Sequence, residues 1–284
     1  AYFNAKIDGE SPTFVQLPAE DEDSGTMCAE LLRHMYGTRA AADGWQEEYS
    51  STLVAQLGFI QGVSSPCVFR HPDRELVLTV HGDDFTSAGA CMEIDWFEES
   101  MKEFYELTTQ PRLGPGPDDA KEAIVLNRVV RWTDDGIEYE ADPRQVEKLI
   151  IECGLQGANP VATPGVRASF EETENDQPLD DKAHTPFRGA AARANYLSAD
   201  RIDCQFAAKE VCRWMSSPTK QSWLSLKRLC RYLVGLPRLV FLYRWQTVEA
   251  LDVFTDTDWA GCPRTRKSTS GGCLTMGEHL FDFT

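Results

Sequence analysis

Apolar residues recur every three or four positions in five stretches of this chain, and they run together or alternate in several shorter ones. The first helical stretch is Ala40 to Leu57, where Trp45, Tyr49, Leu53 and Leu57 share a face and Gly58 supplies the stop. Ile94 to Leu107 is the second, striped by Ile94, Phe97, Met101 and Phe104. A third opens with Asp142 as cap and Pro143 at the first helical position, carries Val146, Leu149, Ile150 and Cys153 on one face, and closes at Gly154. Cys204, Ala207, Val211 and Met215 line a fourth, and Trp223, Leu226, Cys230 and Leu233 a fifth that stops near Gly235-Leu236-Pro237.

Strand-like runs fall between these helices. The chain starts in a strand with a turn at Asp8-Gly9, Met27 to Gly37 reads as strand then turn, and Cys67 to Arg70, Leu76 to Val80 and Phe85 to Ala88 form a meander. Ala123 to Trp132 reads as one strand before a turn at Asp134-Asp135-Gly136, and Leu251 to Asp258 and Gly271 to Met276 are the last two strands. Gly157 to Asp181 has prolines, acids and no period, and reads as a linker. The resulting order of strand, helix, strand, strand, helix, strand predicts an α+β fold whose first part is a split βαβ unit, an antiparallel sheet with helices on one face.

Composition fits a folded protein of about two domains, with 42% hydrophobic and 26% charged residues in 284. No run of about 18 apolar residues suggests a membrane span. The nine cysteines are odd in number and include no C-x-x-C pair, which argues against a disulfide framework and a zinc site and suggests a reducing, intracellular setting, cytoplasmic or nuclear. With no initiating Met and no apolar leader, the chain reads as a piece of something longer.

The net charge of −17 is unevenly spread. Phe187 to Thr247 holds eleven basic and three acidic residues, a balance of +8 that leaves −25 elsewhere. Such a segment suits a polyanion, and it equally suits a solvated helix face. Lys220, Lys227, Arg228 and Arg231 lie off the apolar stripe of the fifth helix, which gives that helix a basic face.

The stretch His81-Gly82-Asp83-Asp84 is the tight turn of a hairpin. Two adjacent carboxylates at a strand end are neutralised most economically by a divalent metal, although Asp is also an ordinary turn residue.

Several blocks, in order, resemble the reverse transcriptase region of copia-type retrotransposon polyproteins, running into the start of the ribonuclease H module. They are A-Y-F-N-A at the start, L-L-R-H-M-Y-G-T-R-A-A-A-D-G-W from Leu31 to Trp45, the V-H-G-D-D hairpin, W-M-S-S-P-T from Trp214, L-K-R-L-C-R-Y-L from Leu226, and F-T-D-T-D-W-A-G-C-P-R-T-R-K-S-T-S-G from Phe254 to Gly271. The resemblance implies a palm and fingers fragment over residues 1–140, a thumb-like helix over 141–156, a linker over 157–186, a basic helical connection over 187–247, and the start of a ribonuclease H-like α/β module over 248–284. It implies RNA-directed DNA polymerase activity, with Asp83 as principal and Asp84 as lesser ligand of magnesium or manganese in two-metal nucleotidyl transfer. Tyr2 matches the aromatic beneath the incoming sugar, Arg39 a cation that meets phosphate, and Asp256 the first ribonuclease H carboxylate. The basic residues Lys220, Lys227, Arg228 and Arg231 would lie along the duplex. The implied partners are an RNA template, a DNA primer, nucleoside triphosphates and the rest of the polyprotein, with no membrane.

The family pattern places a third metal-binding Asp a few residues before Ala1, and the other ribonuclease H carboxylates after Thr284. The isolated chain is therefore expected to show little polymerase activity. His81 stands where the family usually has Tyr, Ala40 where it has Gln, and Ala42 where it has Pro. Two other readings use the same residues. One is a degenerate, non-catalytic remnant that folds and binds nucleic acid through its basic helices. The other is an α+β interaction domain in which Asp83-Asp84 caps a turn, Tyr2 is a half-buried strand aromatic and Arg39 is a surface cation.

Overall fold

The structure is a computed structural model that describes residues 2–7, 12–166, 174–262 and 265–283. The turn expected at Asp8-Gly9 and part of the expected linker lie outside the described residues. The fold is α+β, with antiparallel sheets and six α-helices among the described residues, and the chain divides into two compact units, Ala1–Gln110 and Pro111–Thr284.

The first unit begins with a 3₁₀ turn at Tyr2–Asn4, followed by a hairpin of β1 (Thr13–Gln16) and β2 (Cys28–Leu31). Helix α1 (Ala41–Ser51) continues into a π-helical turn at Thr52–Gln56, and Gly58 ends it at φ +75°. Four strands follow as an antiparallel sheet in chain order: β3 (Ile60–Gln61), β4 (Val68–His71), β5 (Leu76–His81) and β6 (Asp84–Ala88). Helix α2 (Cys91–Lys102) closes the unit. Leu76, Leu78 and Val80 alternate inward along β5 and pack with Trp45, Tyr49 and Leu53 of α1 and its continuation and with Phe97 and Met101 of α2. The opposite face of β5 carries the exposed Val77, Thr79 and His81, so helices do cover one face of this sheet. Helix α2 stops two residues before Phe104, which is 42% exposed, and Tyr105 takes the core place expected of it. Its hydroxyl meets the Thr52 hydroxyl at 2.8 Å, which satisfies two buried polar groups together.

The strand expected over Ala123–Trp132 does not join this sheet. Leu126 and Asn127 both take left-handed backbone angles, φ 49° and 68°, and fold the segment into two strands, β7 (Glu122–Val125) and β8 (Arg128–Thr133). That tight reversal is the two-residue hairpin turn in which Asn is favoured. The partners are β9 (Gly136–Glu140) and, a hundred residues on, β10 (Val240–Arg244), in the order β10-β9-β8-β7. The expected split βαβ sheet is thereby replaced by a meander in the first unit and a separate sheet in the second. Gly136 is required there, because a side chain at it would stand 2.1 Å from the Tyr243 carbonyl of β10.

The core of the second unit is helical. Helix α3 (Pro143–Glu152) starts as expected, with the Asp142 carboxylate accepting from the Arg144 N–H and Pro143 in the first turn. It packs with α4 (Asp181–Ser198), α5 (Ile202–Cys212) and α6 (Lys220–Gly235). Two helices were expected in this region and three are present. Helix α4, read in part as linker, buries Phe187, Ala190, Ala191, Ala194 and Leu197. The last three strands, β11 (Leu251–Thr257), β12 (Ser270–Met276) and β13 (His279–Phe283), form an antiparallel sheet. No helix among the described residues is long and apolar enough to cross a membrane.

Three carboxylates of this unit are held below their ordinary range. Hydrogen bonds from Arg238 and Arg131 lower Glu140 against its burial, and Arg144 lowers Asp142. Burial alone would raise Asp203, and the Arg201 hydrogen bonds more than reverse it. A carboxylate whose folded pKa is depressed contributes stability above its unfolded pKa and loses it as pH falls through the folded value. The second unit is expected to hold its stability down to about pH 4, the unfolded carboxylate range, and to lose it steeply below. Melting followed by circular dichroism from pH 7 to pH 3 checks this, and Glu140→Gln should flatten the acid slope.

Candidate functional site

The hairpin β5–β6 turns through Gly82 and Asp83, with His81 and Asp84 as its closing pair. Gly82 has φ +63° and Asp83 does not have positive φ, the requirement of a II′ turn with Gly at its first central position. This is the tight turn expected over His81–Asp84, with Asp84 already paired as the first residue of β6. His81 and Asp84 are cross-strand partners on the exposed face, while Asp83 projects from the tip. Both carboxylates are exposed.

The tip is held from below by α1. Trp45, 3% exposed, donates its indole N–H to the Gly82 carbonyl at 2.7 Å, so a core residue fixes the turn that carries the acids. The Tyr36 hydroxyl lies 3.5 Å from Oδ2 of Asp83, a long contact, and its ring packs edge-on against Tyr2 at 4.4 Å and Phe3 at 5.8 Å. Partial burial first, and then the charge of Asp83, push the Tyr36 phenol above its ordinary value. The structure thus brings together Tyr2, Tyr36 and Asp83, of which Tyr36 was not singled out from the sequence. Its signal was present, because the Leu31 to Trp45 block contains both Tyr36 and Trp45, the two residues that meet the hairpin. Arg39 is exposed in the turn before α1. Replacing Trp45 with Phe removes the bond to Gly82 and part of a buried ring, and is expected to destabilise the protein by about 1–3 kcal/mol. Urea denaturation measures this, and an unchanged midpoint would remove Trp45 from its role as support.

No group of three or more His, Cys, Asp or Glu side chains among the described residues is placed to hold a metal. The two exposed carboxylates fit a hard divalent cation that takes one or two carboxylates and completes its shell with water and phosphate oxygens. They do not form a closed cage.

The remaining candidates belong to the second unit. Asp256 lies in β11 opposite Gly271 and is exposed. Lys220 donates to Gln177 at 2.7 Å, and Lys227 stands over the Trp223 ring at 5.6 Å. Arg228 donates to the Thr163 hydroxyl and Arg231 to the Asn159 carbonyl, each at 2.8 Å. The expected open basic face is therefore partly covered, with two of its four cations fastening the segment that follows α3. Other cations of the +8 region are paired as well: Arg193 with Glu152, Arg201 with Asp203, Arg213 with Glu210 and Arg238 with Glu140. Its charge asymmetry reflects in part acids recruited from elsewhere in the chain.

No family model matches the chain, and no solved structure matches it significantly. Among curated proteins it is 26% identical over 262 residues to the retrovirus-related Pol polyprotein from transposon RE2 of Arabidopsis thaliana, covering 91% of this chain and 17% of that protein. It is 23% identical over 280 residues to the corresponding polyprotein from transposon TNT 1-94 of Nicotiana tabacum, covering 95% of this chain and 20% of that one. An uncharacterized mitochondrial protein of Arabidopsis thaliana is 28% identical over 150 residues, 51% of this chain and 60% of that protein. The chain spans about a fifth or less of the length of the polyproteins it matches. Over some nine-tenths of its length the chain is thus similar to segments of retrovirus-related Pol polyproteins of copia-type transposons.

Proposed function

We propose that this segment is the reverse transcriptase part of its polyprotein, with the Asp83-Asp84 hairpin as the nucleotidyl-transfer centre. The observation that carries the reading is the pair of exposed carboxylates on a hairpin tied by Trp45 to α1, in a chain homologous to Pol polyproteins. In this reading Ala1–Gln110 contributes the palm and fingers elements, and α3 is the start of a thumb. Magnesium or manganese, when held by Asp83 and Asp84, supplies the positive charge that favours ionisation of a primer 3′-hydroxyl and departure of pyrophosphate. Asp83, at the tip, is the principal ligand, and Asp84 the second from the strand beside His81. Tyr2 forms the floor under the incoming sugar and excludes a 2′-hydroxyl by bulk, with Tyr36 packed behind it. Arg39 meets phosphate.

Lys220, Lys227, Arg228 and Arg231 are the cations of α6 that face the duplex in this reading, with Arg228 and Arg231 shared between duplex and loop. Asp256 begins the ribonuclease H-like module. The test is primer extension on an RNA template with magnesium, by a polyprotein fragment that contains this chain and extends beyond it on both sides. Deoxynucleotide incorporation is expected. A folded fragment that binds template-primer without salt dependence and extends nothing would overturn the reading, since phosphate-led binding must weaken with salt.

A further inference from the structure

Two of the nine cysteines are neighbouring thiols in the helical core. Cys153, at the C-terminal cap of α3, and Cys230, in the middle of α6, have their sulfur atoms 3.2 Å apart. They are 77 residues apart in sequence, and 6% and 0% exposed. Cys230 also lies 3.9 Å from the Leu149 carbonyl, so its S–H has two acceptors within reach and Cys153 acts as one of them. A disulfide needs the sulfurs at about 2.05 Å, roughly 1 Å nearer than here. Nothing in the proposed polymerase chemistry uses these residues.

We propose that Cys153 and Cys230 are a latent redox pair that closes into a disulfide and locks α3 onto α6 when a small-molecule disulfide oxidant is present. Cys153, the more accessible of the two and at a helix end that can fray, is the attacking thiol. Its thiolate attacks one sulfur of glutathione disulfide, forming a mixed disulfide and expelling one glutathione thiolate. Cys230 then loses its proton and attacks the Cys153 sulfur, expelling the second glutathione. The protein dithiol is oxidised by two electrons, and one glutathione disulfide becomes two glutathione thiols. Because α6 holds the segment after α3 through Arg228 and Arg231, the cross-link also stiffens that segment.

The experiment uses the full chain with Cys28, Cys67 and Cys91, the exposed thiols, changed to Ser. It is incubated with glutathione disulfide, quenched with acid, alkylated after unfolding and digested for mass spectrometry. The expected result is a linked pair of peptides containing Cys153 and Cys230, a mass loss of about two hydrogens, consistent with one new bond, and a raised melting temperature reversed by reductant. Cys230→Ser should instead retain one glutathione on Cys153, and Cys153→Ser should give neither product. Full alkylation of both thiols after exposure overturns the proposal, as does linkage of Cys153 to Cys204 or Cys212. A glutathione adduct on Cys153 that persists with Cys230 intact overturns it too.

Discussion

Replacing Asp83 with Ala is expected to lower primer extension by about 10²- to 10⁴-fold, while leaving the fold intact. The magnitude follows from the several kcal/mol by which a metal ion stabilises transition-state charge, at about 1.4 kcal/mol per tenfold. With two carboxylates in the described site, loss of the one at the tip leaves a cation only Asp84. Folding should be unaffected within about 0.5 kcal/mol, because Asp83 is exposed and its side chain meets Tyr36 only at a long distance. Asp84→Ala should cost less, since in the proposed reading Asp84, placed in the strand, is the lesser ligand. Single-turnover extension by the longer polyprotein fragment, paired with thermal melts, separates rate from stability. An Asp83→Ala protein that extends as fast as its parent would sink the assignment of this hairpin. Inactivity in both, with both folded, would leave the remnant reading: a reverse transcriptase architecture that has lost its chemistry.

The largest expected stability effect lies in the second unit, at Arg201. This residue is 1% exposed, and it bridges the start of α5 and the end of α6. Its guanidinium forks onto Asp203, with Nε to Oδ1 at 2.9 Å and Nη2 to Oδ2 at 2.7 Å. It also donates to the carbonyls of Leu236 and Pro237, at 2.9 and 3.2 Å, just past the last turn of α6, where helix carbonyls lack internal partners. Tyr232 donates to the same Asp203 carboxylate at 2.9 Å, and burial together with that acceptor pushes its phenol up to about 12.

Arg201→Ala would strand a part-buried carboxylate and two carbonyls, and is expected to cost about 3–5 kcal/mol. Arg201→Lys keeps the charge and loses the fork, so it should recover only part of this. The double change Arg201→Met with Asp203→Leu should be milder than Arg201→Ala, because no buried charge is left without its partner. Guanidinium denaturation curves for the three variants decide the matter. A loss of under about 1 kcal/mol for Arg201→Ala would place Arg201 among ordinary surface cations.

Local signals were legible where the determining groups lie within a turn or two of each other. The Asp142 cap, Pro143 and the Val146, Leu149, Cys153 stripe determined α3, and the alternation of Leu76, Leu78 and Val80 before Gly82 determined the hairpin and its exposed acids. The stripe of Leu226, Cys230 and Leu233 determined α6 and its buried face. Helix α4 was hidden because its buried stripe is mostly alanine, which carries little hydrophobic signal, and because Pro186 and Gly189 break the pattern.

Ordered blocks of residues, taken by themselves, carried the resemblance to retrotransposon polyproteins and determined the presence of paired carboxylates in a turn, since motif order and turn chemistry are written along one stretch of chain. Only the tertiary structure decided who meets whom. It paired β9 with β10 across a hundred residues, drew Tyr36 and Trp45 to the hairpin, set Cys153 against Cys230, and gave Arg201, Arg228, Arg231 and Arg238 partners of their own. The reason is physical. A charge or a sulfur atom acts on whatever lies within a few ångströms, and which group that is depends on how distant segments pack.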